Sequence, residues 1–231
     1  MRQAKKYFCS ALLACSLIPQ LSSAQENPNE ILDEIRLAQA QITRPLTGRL
    51  RPENGDPIPF QLQLKGDEFD YKFSNPPETI KLQLNDTGSV LTDQTSGGTQ
   101  VLSGSRLNEP VRGTDITYND LSLRFIYWKK AQYEGEQHVR TITCSIVLVQ
   151  APSRNSEYDA VRLWIAKDRG ALIKAEGFNW QGKPVKRFDV ISGQEIEGKT
   201  IFKQIRIEQL DPQSSKVVSR TYLELDAAEG G

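Results

Sequence analysis

The sequence predicts an α+β protein in which most of the chain forms an antiparallel sheet. Apolar and polar residues alternate over many short runs, and turn residues separate the runs at intervals of about 8 to 14 residues. Two other segments carry apolar residues at gaps of three and four, which predicts helices. The expected architecture is therefore a sheet with one buried face that helices cover.

The N-terminus has the order of a secretory signal peptide. Basic residues precede an apolar run at 7–18, and Pro19 and small residues up to Ala24 follow it. The run is shorter than the roughly 20 residues that a membrane-spanning helix needs. We expect residues 1–24 to be removed and residues 25–231 to form one domain. In an alternative interpretation, Cys15 ends a lipobox and becomes a lipidated membrane anchor.

The charge balance argues against a nucleic-acid partner. The chain has 29 Lys plus Arg and 29 Asp plus Glu, and residues 1–24 contain three of the basic side chains, so the mature net charge is 26 − 29 = −3. Nucleic-acid binders usually show a basic surplus. We expect a monomer without such a partner.

A helix is predicted from Asn29 to the residues before Pro45 because apolar residues recur there at gaps of four, three and four. These are Ile31, Ile35, Ala38 and Ile42. Strands with alternating apolar positions follow, and their short links imply antiparallel pairing. Their ranges are 46–51, 58–65, 69–73, 80–84 and 90–91.

Residues 92–110 are rich in Thr, Gln, Ser and Gly and show no sustained period. Gly97 and Gly98 lie near their start. The segment is predicted to be either a loop with one turn of helix at 101–107 or a disordered linker.

A second helix is predicted from Thr117, whose hydroxyl can cap a helix while Asp120 reaches back, as in a capping box. Leu121, Phe125 and Trp128 follow at gaps of four and three, which places them on one helical face. The simplest interpretation is a capped segment that closes the core of the sheet. The remaining chain is predicted as a strand meander, for a total of about ten strands, at 139–149, 161–165, 172–180, 185–191, 201–210 and 217–225.

Several motifs resemble the outer membrane lipoprotein-sorting proteins of the LolA-like superfamily. The central stretch contains Gly-Thr-Asp at 113–115, Asp-Leu-Ser-Leu-Arg-Phe at 120–125 and Tyr-Trp at 127–128. Further matches are Tyr158, Val-Arg-Leu-Trp-Ile at 161–165, Lys-Ala-Glu at 174–176, Gly-Lys at 182–183, Val-Lys at 185–186 and the hairpin at Gly198. The resemblance continues to about residue 211 and is weaker before residue 58.

The resemblance implies a periplasmic protein with an unclosed β-barrel, covered on its concave face by two or three helices, around an apolar cavity for acyl chains. The implied partners are acyl chains of a lipoprotein or lipid, and an envelope exporter or outer-membrane receptor. Residues 92–110 would cross the mouth as a lid, with Gly97-Gly98 and Arg112-Gly113 allowing it to open. The functional arginine of the lipoprotein carrier proper has only positional candidates, Arg49 and Arg51.

Apolar and aromatic residues on the predicted strands and central helix are candidates to line the cavity, although the same alternation would also fill a closed core. The candidates are Phe60, Leu62, Leu64, Tyr71, Phe73, Leu121, Phe125, Trp128, Trp164, Phe178 and Trp180. A filled core would instead indicate a non-catalytic envelope module that acts through protein partners.

No catalytic arrangement is predicted. His138 is the only histidine, and it is expected in the same strand as Cys144 or in the turn before it, about 20 Å away by strand geometry. Cys144 is expected to be a buried strand residue. Asp115 and Asp120 are better explained as helix-start residues than as paired catalytic carboxylates. We expect no enzyme activity, cofactor or metal site.

Overall fold

The computed structural model describes residues 26–40, 42–85 and 88–227. The predicted signal peptide, its cleavage after Ala24 and the alternative lipidation at Cys15 lie outside the described residues. No helix within the described ranges is long and apolar enough to cross a membrane.

The structure is a single antiparallel sheet of thirteen strands that does not close into a barrel. The strands are β1 (Leu46–Pro52), β2 (Ile58–Lys65), β3 (Glu68–Phe73), β4 (Glu78–Asn85), β5 (Gly88–Thr95), β6 (Gly98–Leu102), β7 (Lys130–Val139), β8 (Ile142–Gln150), β9 (Ala160–Ala166), β10 (Leu172–Phe178), β11 (Pro184–Ile196), β12 (Lys199–Leu210) and β13 (Val217–Leu225). Their spatial order is β6-β5-β4-β3-β2-β1-β13-β12-β11-β10-β9-β8-β7. The predicted α+β class and the curved, unclosed antiparallel sheet are confirmed.

Sequence reasoning underestimated the number of strands because the two strands at the sheet edges, β6 and β7, are polar. Most side chains of β6 and β7 are exposed, so apolar alternation could not reveal these strands. The loop predicted at 92–110 is wrong over its first half, where β5 and β6 form a hairpin. A 3-10 helix at Gly104–Asn108 then occupies part of the predicted helical turn.

The two faces of the sheet differ in chemistry. The face here called concave carries the apolar core, as in the cross-strand pairs Leu62–Tyr71 and Ile205–Leu223. The outer face carries charges that pair across strands. Glu208, for example, accepts hydrogen bonds from Arg220 at 2.9 Å and Arg187 at 3.4 Å. The concave face is therefore the side on which an apolar ligand can be enclosed.

The helical part is smaller than predicted. Helix α1 (Pro28–Ala40) agrees with the first predicted helix, and Ile35 and Ile42 are buried; the Ala38 side chain lies outside the described residues. The second helix, α2 (Tyr118–Leu121), has four residues only. Among the described residues, three short 3-10 helices complete the set, at Gly104–Asn108, Val111–Gly113 and Arg124–Tyr127.

The predicted helix from Thr117 to Trp128 is interrupted at Leu123. The predicted capping box between Thr117 and Asp120 is present, with both reciprocal hydrogen bonds. Leu123 then adopts the left-handed conformation with φ of 46°, which ends the helix, and its side chain is buried. Burial against the core thus outweighs the backbone cost of a conformation that L-residues rarely adopt.

Residues 103–129, here named the crossing segment, join the two edges of the sheet. They leave β6 at one edge and enter β7 at the other. The segment contacts α1 through Ile126, whose carbonyl accepts from Arg36, and contacts the start of β5 at Ser89. It therefore crosses the concave face, where many of its side chains are buried in the core.

Candidate ligand cavity

The antiparallel order gives the half-barrel two different ends. The links after β2, β7, β9 and β11 lie at one end, here called the cavity end, and the links after β8, β10 and β12 lie at the opposite end. Helix α1 lies over the cavity end, where Thr43 donates a hydrogen bond from its backbone to Glu197 at 3.0 Å. The crossing segment contacts the opposite end through Arg112 and Asp115.

A cavity of about 230 Å³ lies at the cavity end between the sheet, α1 and the crossing segment. Its wall is mainly aliphatic and aromatic, and its polar side chains are few. The lining residues include Ile35, Leu62, Leu64, Tyr71, Ile126, Arg140, Arg169, Val190 and Phe202. An apolar concavity with few polar groups is the usual form of a small-molecule site.

Three of the predicted cavity residues line it, namely Leu62, Leu64 and Tyr71. Two neighbours on the same face, Phe60 and Phe73, lie further from the cavity end and pack as an aromatic cluster. The Phe60 ring centroid is 5.4 Å from that of Tyr71 and 6.0 Å from that of Phe73. A ligand role for the three lining residues stays a prediction.

The predicted residues of the central segment fill the core instead. Phe125 packs on Phe188 with ring centroids 5.4 Å apart. Leu121 and Trp128 are buried in the same core. The crossing segment lines the cavity with other residues, Ser122, Leu123 and Ile126. The break at Leu123 turns these side chains, rather than the predicted helical face, toward the cavity.

The last three candidates, Trp164, Phe178 and Trp180, do not line the cavity. A cationic side chain lies over each of their rings. Lys174 lies 4.3 Å from the ring centroid of Trp164, and Arg162 lies 5.1 Å from that of Phe178. Trp180 is in the link after β10, where it donates a hydrogen bond to the carbonyl of Ser156 at 2.9 Å. An alternating strand pattern does not tell which face is concave, so these residues could not be separated from core residues beforehand.

Sequence reasoning missed the lining contributed by α1 and by the β11–β12 hairpin. Ile35 and Ile42 were predicted as the buried helix face, and residues 185–191 and 201–210 as strands. None of these was proposed as cavity lining. Their apolar alternation was visible, but their shared position at one end of the half-barrel depends on pairing across the whole sheet.

The two arginines considered as counterparts of a functional arginine lie on the outer face. Arg49 and Arg51 both bind Glu224, at 2.7 Å each. Arg51 also lies 4.2 Å from the ring centroid of Tyr222. Neither residue is among those that line the cavity.

A buried ionic cluster fixes the crossing segment to the sheet. The ammonium of Lys186 is 2.7 Å from Asp120 and 3.2 Å from Glu157. The Tyr158 hydroxyl donates to the other oxygen of Asp120 at 2.7 Å. The Tyr158 ring lies over Gly177, where a Cβ atom would come within 2.5 Å of it. Motif residues that carried the family resemblance thus form one contact site.

The cluster has two carboxylates for one ammonium, and this controls its pKa shifts. Burial, followed by the charge of Asp120, raises the pKa of Glu157 above its ordinary value. For Lys186, burial lowers the pKa, but Asp120 and Glu157 outweigh it, so the net shift is upward. The ammonium of Lys186 is therefore protonated at neutral pH.

The proposed hinge at Arg112 is instead a fixed contact. Its guanidinium donates to Glu78 at 2.9 Å and to the carbonyls of Asn75 at 2.7 Å and Pro76 at 2.6 Å. It also lies 4.5 Å from the ring centroid of Phe73. Together with the β5–β6 hairpin, this contradicts a lid formed by residues 92–110.

His138 and Cys144 lie on paired strands and not on one strand. His138 is opposite Thr143, and Cys144 is opposite Gln137. Because adjacent strand residues point to opposite faces, the two side chains lie on different sides of the sheet. Cys144 is buried, and this burial raises the pKa of its thiol. Within the ranges that the structure describes, no group of three or more His, Cys, Asp or Glu residues could hold a metal ion.

Solved structures share this architecture at low sequence identity. A structure described as an outer membrane lipoprotein-sorting protein domain from Vibrio parahaemolyticus aligns with a TM-score of 0.69 and 14% identity. The alignment covers 87% of this chain and 90% of that chain. A LolA superfamily protein from Nitrosomonas europaea aligns with a TM-score of 0.63 and 15% identity, covering 87% of this chain and 92% of that chain. A DUF1329 family protein from Desulfovibrio piger aligns at 0.63 and 14% identity, with the same coverage of 87% and 92%.

The chain therefore has the LolA-like unclosed-barrel fold that the sequence motifs implied. A family model described as "-like: Uncharacterized protein" matches residues 93–228, which is more than half of the chain. The chain belongs to that family. A search of curated proteins finds no significant match.

Proposed function

We propose that this protein is a periplasmic carrier or chaperone that binds an acyl chain of a lipoprotein or lipid. The observation that supports the proposal is the apolar cavity of about 230 Å³ on the concave face. Each methylene that leaves water contributes about 0.8 kcal/mol, so a buried stretch of about ten methylenes supplies roughly 8 kcal/mol before the costs of association. That suffices to keep a chain out of water during transit.

The size of the cavity bears on how much cargo it holds. It is smaller than the range of about 300–1,000 Å³ for pockets that enclose drug-sized ligands. As it stands, the cavity would accept one chain. A second chain would require a wall to move outward.

Helix α1 is the wall best suited to such movement. The strands are held by ladder hydrogen bonds and the crossing segment by the buried pair of Asp120 with Lys186, whereas α1 is a separate element. It buries Leu32 and Ile35, and its Arg36 donates to the carbonyl of Ile126 at 3.0 and 2.7 Å. In our proposal α1 opens the cavity, which replaces the lid expected at residues 92–110.

The remaining parts of the proposal concern location and partners. Residues 1–24 would direct export and then be removed, or lipidation at Cys15 would anchor the protein to a membrane. An exporter or outer-membrane receptor would trigger release, since tight burial would otherwise retain the cargo. The protein would act as a monomer, without catalysis and without nucleic acid.

Native mass spectrometry with lipid extraction tests the proposal. The mature protein is purified from the periplasm without detergent. Acylated species bound at near-stoichiometric occupancy would support a carrier and give the class of cargo. A mass of protein alone, unchanged after incubation with fluorescent acyl probes, would contradict it.

A second candidate is a non-catalytic envelope module that acts through protein partners. The observation in its favour is that the crossing segment already fills much of the concave face, for example where Phe125 packs on Phe188. Exposed valines offer apolar contact positions outside the cavity, of which Val101 and Val218 are the most exposed. The result without bound acyl species would favour this function.

A further inference from the structure

The charged groups around the cavity are all of one sign. Of the described side chains that line it, only Arg140 and Arg169 are charged, and no carboxylate is among them. An apolar ligand would gain nothing from these two cations. Their presence is therefore informative about the polar end of a ligand.

Both arginines belong to adjacent turns at the cavity end. Arg140 is in the turn between β7 and β8, and Arg169 is in the turn between β9 and β10. Strands β8 and β9 pair directly, and the backbone of Lys167 donates to the carbonyl of Thr143 at 3.0 Å beside these turns. The two turns that carry these arginines thus lie side by side at the rim of the cavity.

Their remaining bonding capacity is large. Arg140 is exposed, and no hydrogen bond or ion pair joins its side chain to another described residue. Arg169 uses its Nε for Asp168 at 3.0 Å, and this pair is largely exposed. Glu34 lies against Gly170, and Glu26 and Glu136 near the same turn are paired with Lys167. Neither Asp168 nor Glu34 lines the cavity, so the side facing a ligand is cationic.

We infer that the cavity binds a single-chain amphiphile with an anionic head group, a carboxylate or a phosphate. The inference rests on the proposed acyl-binding function and names its cargo class. The chain lies among Leu62, Tyr71 and Val190, and the head group lies at the rim between Arg140 and Arg169. Guanidinium groups bind carboxylates and phosphates through paired N–H donors. A neutral lipid head would leave both arginines without an anion.

The test compares ligands that share one chain and differ in the head group. The uncharged fluorescent probe N-phenyl-naphthylamine is bound to the full mature protein, and laurate, dodecyl phosphate and dodecanol compete with it. Laurate and dodecyl phosphate separate a carboxylate from a phosphate source. The variants are Arg140→Gln, Arg169→Gln and both together. Arg154→Gln, an arginine in the link after β8 at the opposite end, is the control.

We expect at least one anionic ligand to compete roughly tenfold better than dodecanol, because each exposed pair adds at most about fivefold. The double variant should lose this preference and the control should keep it. Equal competition by all three ligands would overturn the inference and leave acyl binding intact. A preference that survives in the double variant would overturn the assignment of the arginines. Failure of the probe and all ligands to bind would instead refute acyl binding itself.

Discussion

The ammonium of Lys186 lies 2.7 Å from the carboxylate of Asp120, and neither side chain reaches solvent. Asp120 belongs to the crossing segment and Lys186 to strand β11. The same carboxylate completes the capping box of α2 with Thr117. One acidic residue therefore fixes the start of a helix and also attaches that helix to the sheet.

Lys186→Met should destabilise the protein by about 3–5 kcal/mol, because it leaves the buried carboxylate of Asp120 and the partly buried one of Glu157 without their cation. Urea unfolding at neutral pH measures this change. The matched control is Lys216→Met, which removes an exposed lysine in the turn before β13 and should change stability by less than about 0.5 kcal/mol. Equal effects of the two variants would show that the ion pair contributes little.

Glu157→Gln should remove a pH dependence of stability. The native pKa of Glu157 is raised by burial and by Asp120, so the folded protein binds this proton more tightly than the unfolded chain. The stabilisation that protonated Glu157 contributes is therefore lost as the pH rises from 4.5, the ordinary pKa of a glutamate, through the higher native pKa. The stability of Glu157→Gln relative to wild type should be greater at about pH 8 than at about pH 5. Urea unfolding of both proteins at each pH measures it, and a constant difference would contradict it.

Gly177→Ala should destabilise the protein by about 1–3 kcal/mol, the usual cost of overpacking. The new methyl group would meet the Tyr158 ring at 2.5 Å, and that ring is held by Asp120. Gly97→Ala is the control, since its nearest contact would be at an ordinary 3.6 Å. Thermal unfolding compares them, and a neutral Gly177→Ala would mean that Tyr158 can move without loss.

Val190→Trp should weaken acyl binding more than tenfold by filling the cavity that Val190 lines. Val218→Trp places the same bulk on an exposed strand position and should bind as wild type does. Probe titration with both variants measures the difference, after circular dichroism has shown that they fold. Unchanged binding by Val190→Trp would place the ligand elsewhere.

Arg36→Gln should loosen α1, because it removes the charged donor to the Ile126 carbonyl. Loss of about 1 kcal/mol of local stability would accelerate amide exchange in residues 28–40 about fivefold. Hydrogen exchange with mass spectrometry measures this, and Arg154→Gln is the control. Unchanged exchange in α1 would argue against this contact as the restraint on opening.

The parts of the fold that sequence reasoning predicted are those with a local signal. The alternation in β2 and β3 and the capping box at Thr117 depend on residues a few positions apart, and both are present. The edge strands β6 and β7 carry mostly exposed side chains and gave no such signal. The break at Leu123 was hidden too, since its left-handed backbone is imposed by tertiary packing.

The cavity was less predictable than the fold. Leu62, Leu64 and Tyr71 share the pattern of Phe60 and Phe73, and only their distance from the cavity end distinguishes them. Arg140 and Arg169 had no signal at all, because turn arginines are common and their proximity depends on the pairing of β8 with β9. The burial of Lys186 was likewise not predicted, because a single lysine next to a valine is usually an exposed strand residue.

The junction between β1 and β13 has a consequence for the way the chain folds. Strands β1 to β6 and strands β7 to β13 are two meanders in which every strand pairs with its neighbour in sequence, so each can form through short-range hairpins. Among the described residues, their only direct strand pairing joins residues such as Arg49 and Glu224, which are 175 positions apart. Closing so long a loop costs more conformational entropy than any hairpin. The central seam of the finished sheet should therefore form last, and a ribosome must release nearly the whole chain before the cavity can exist.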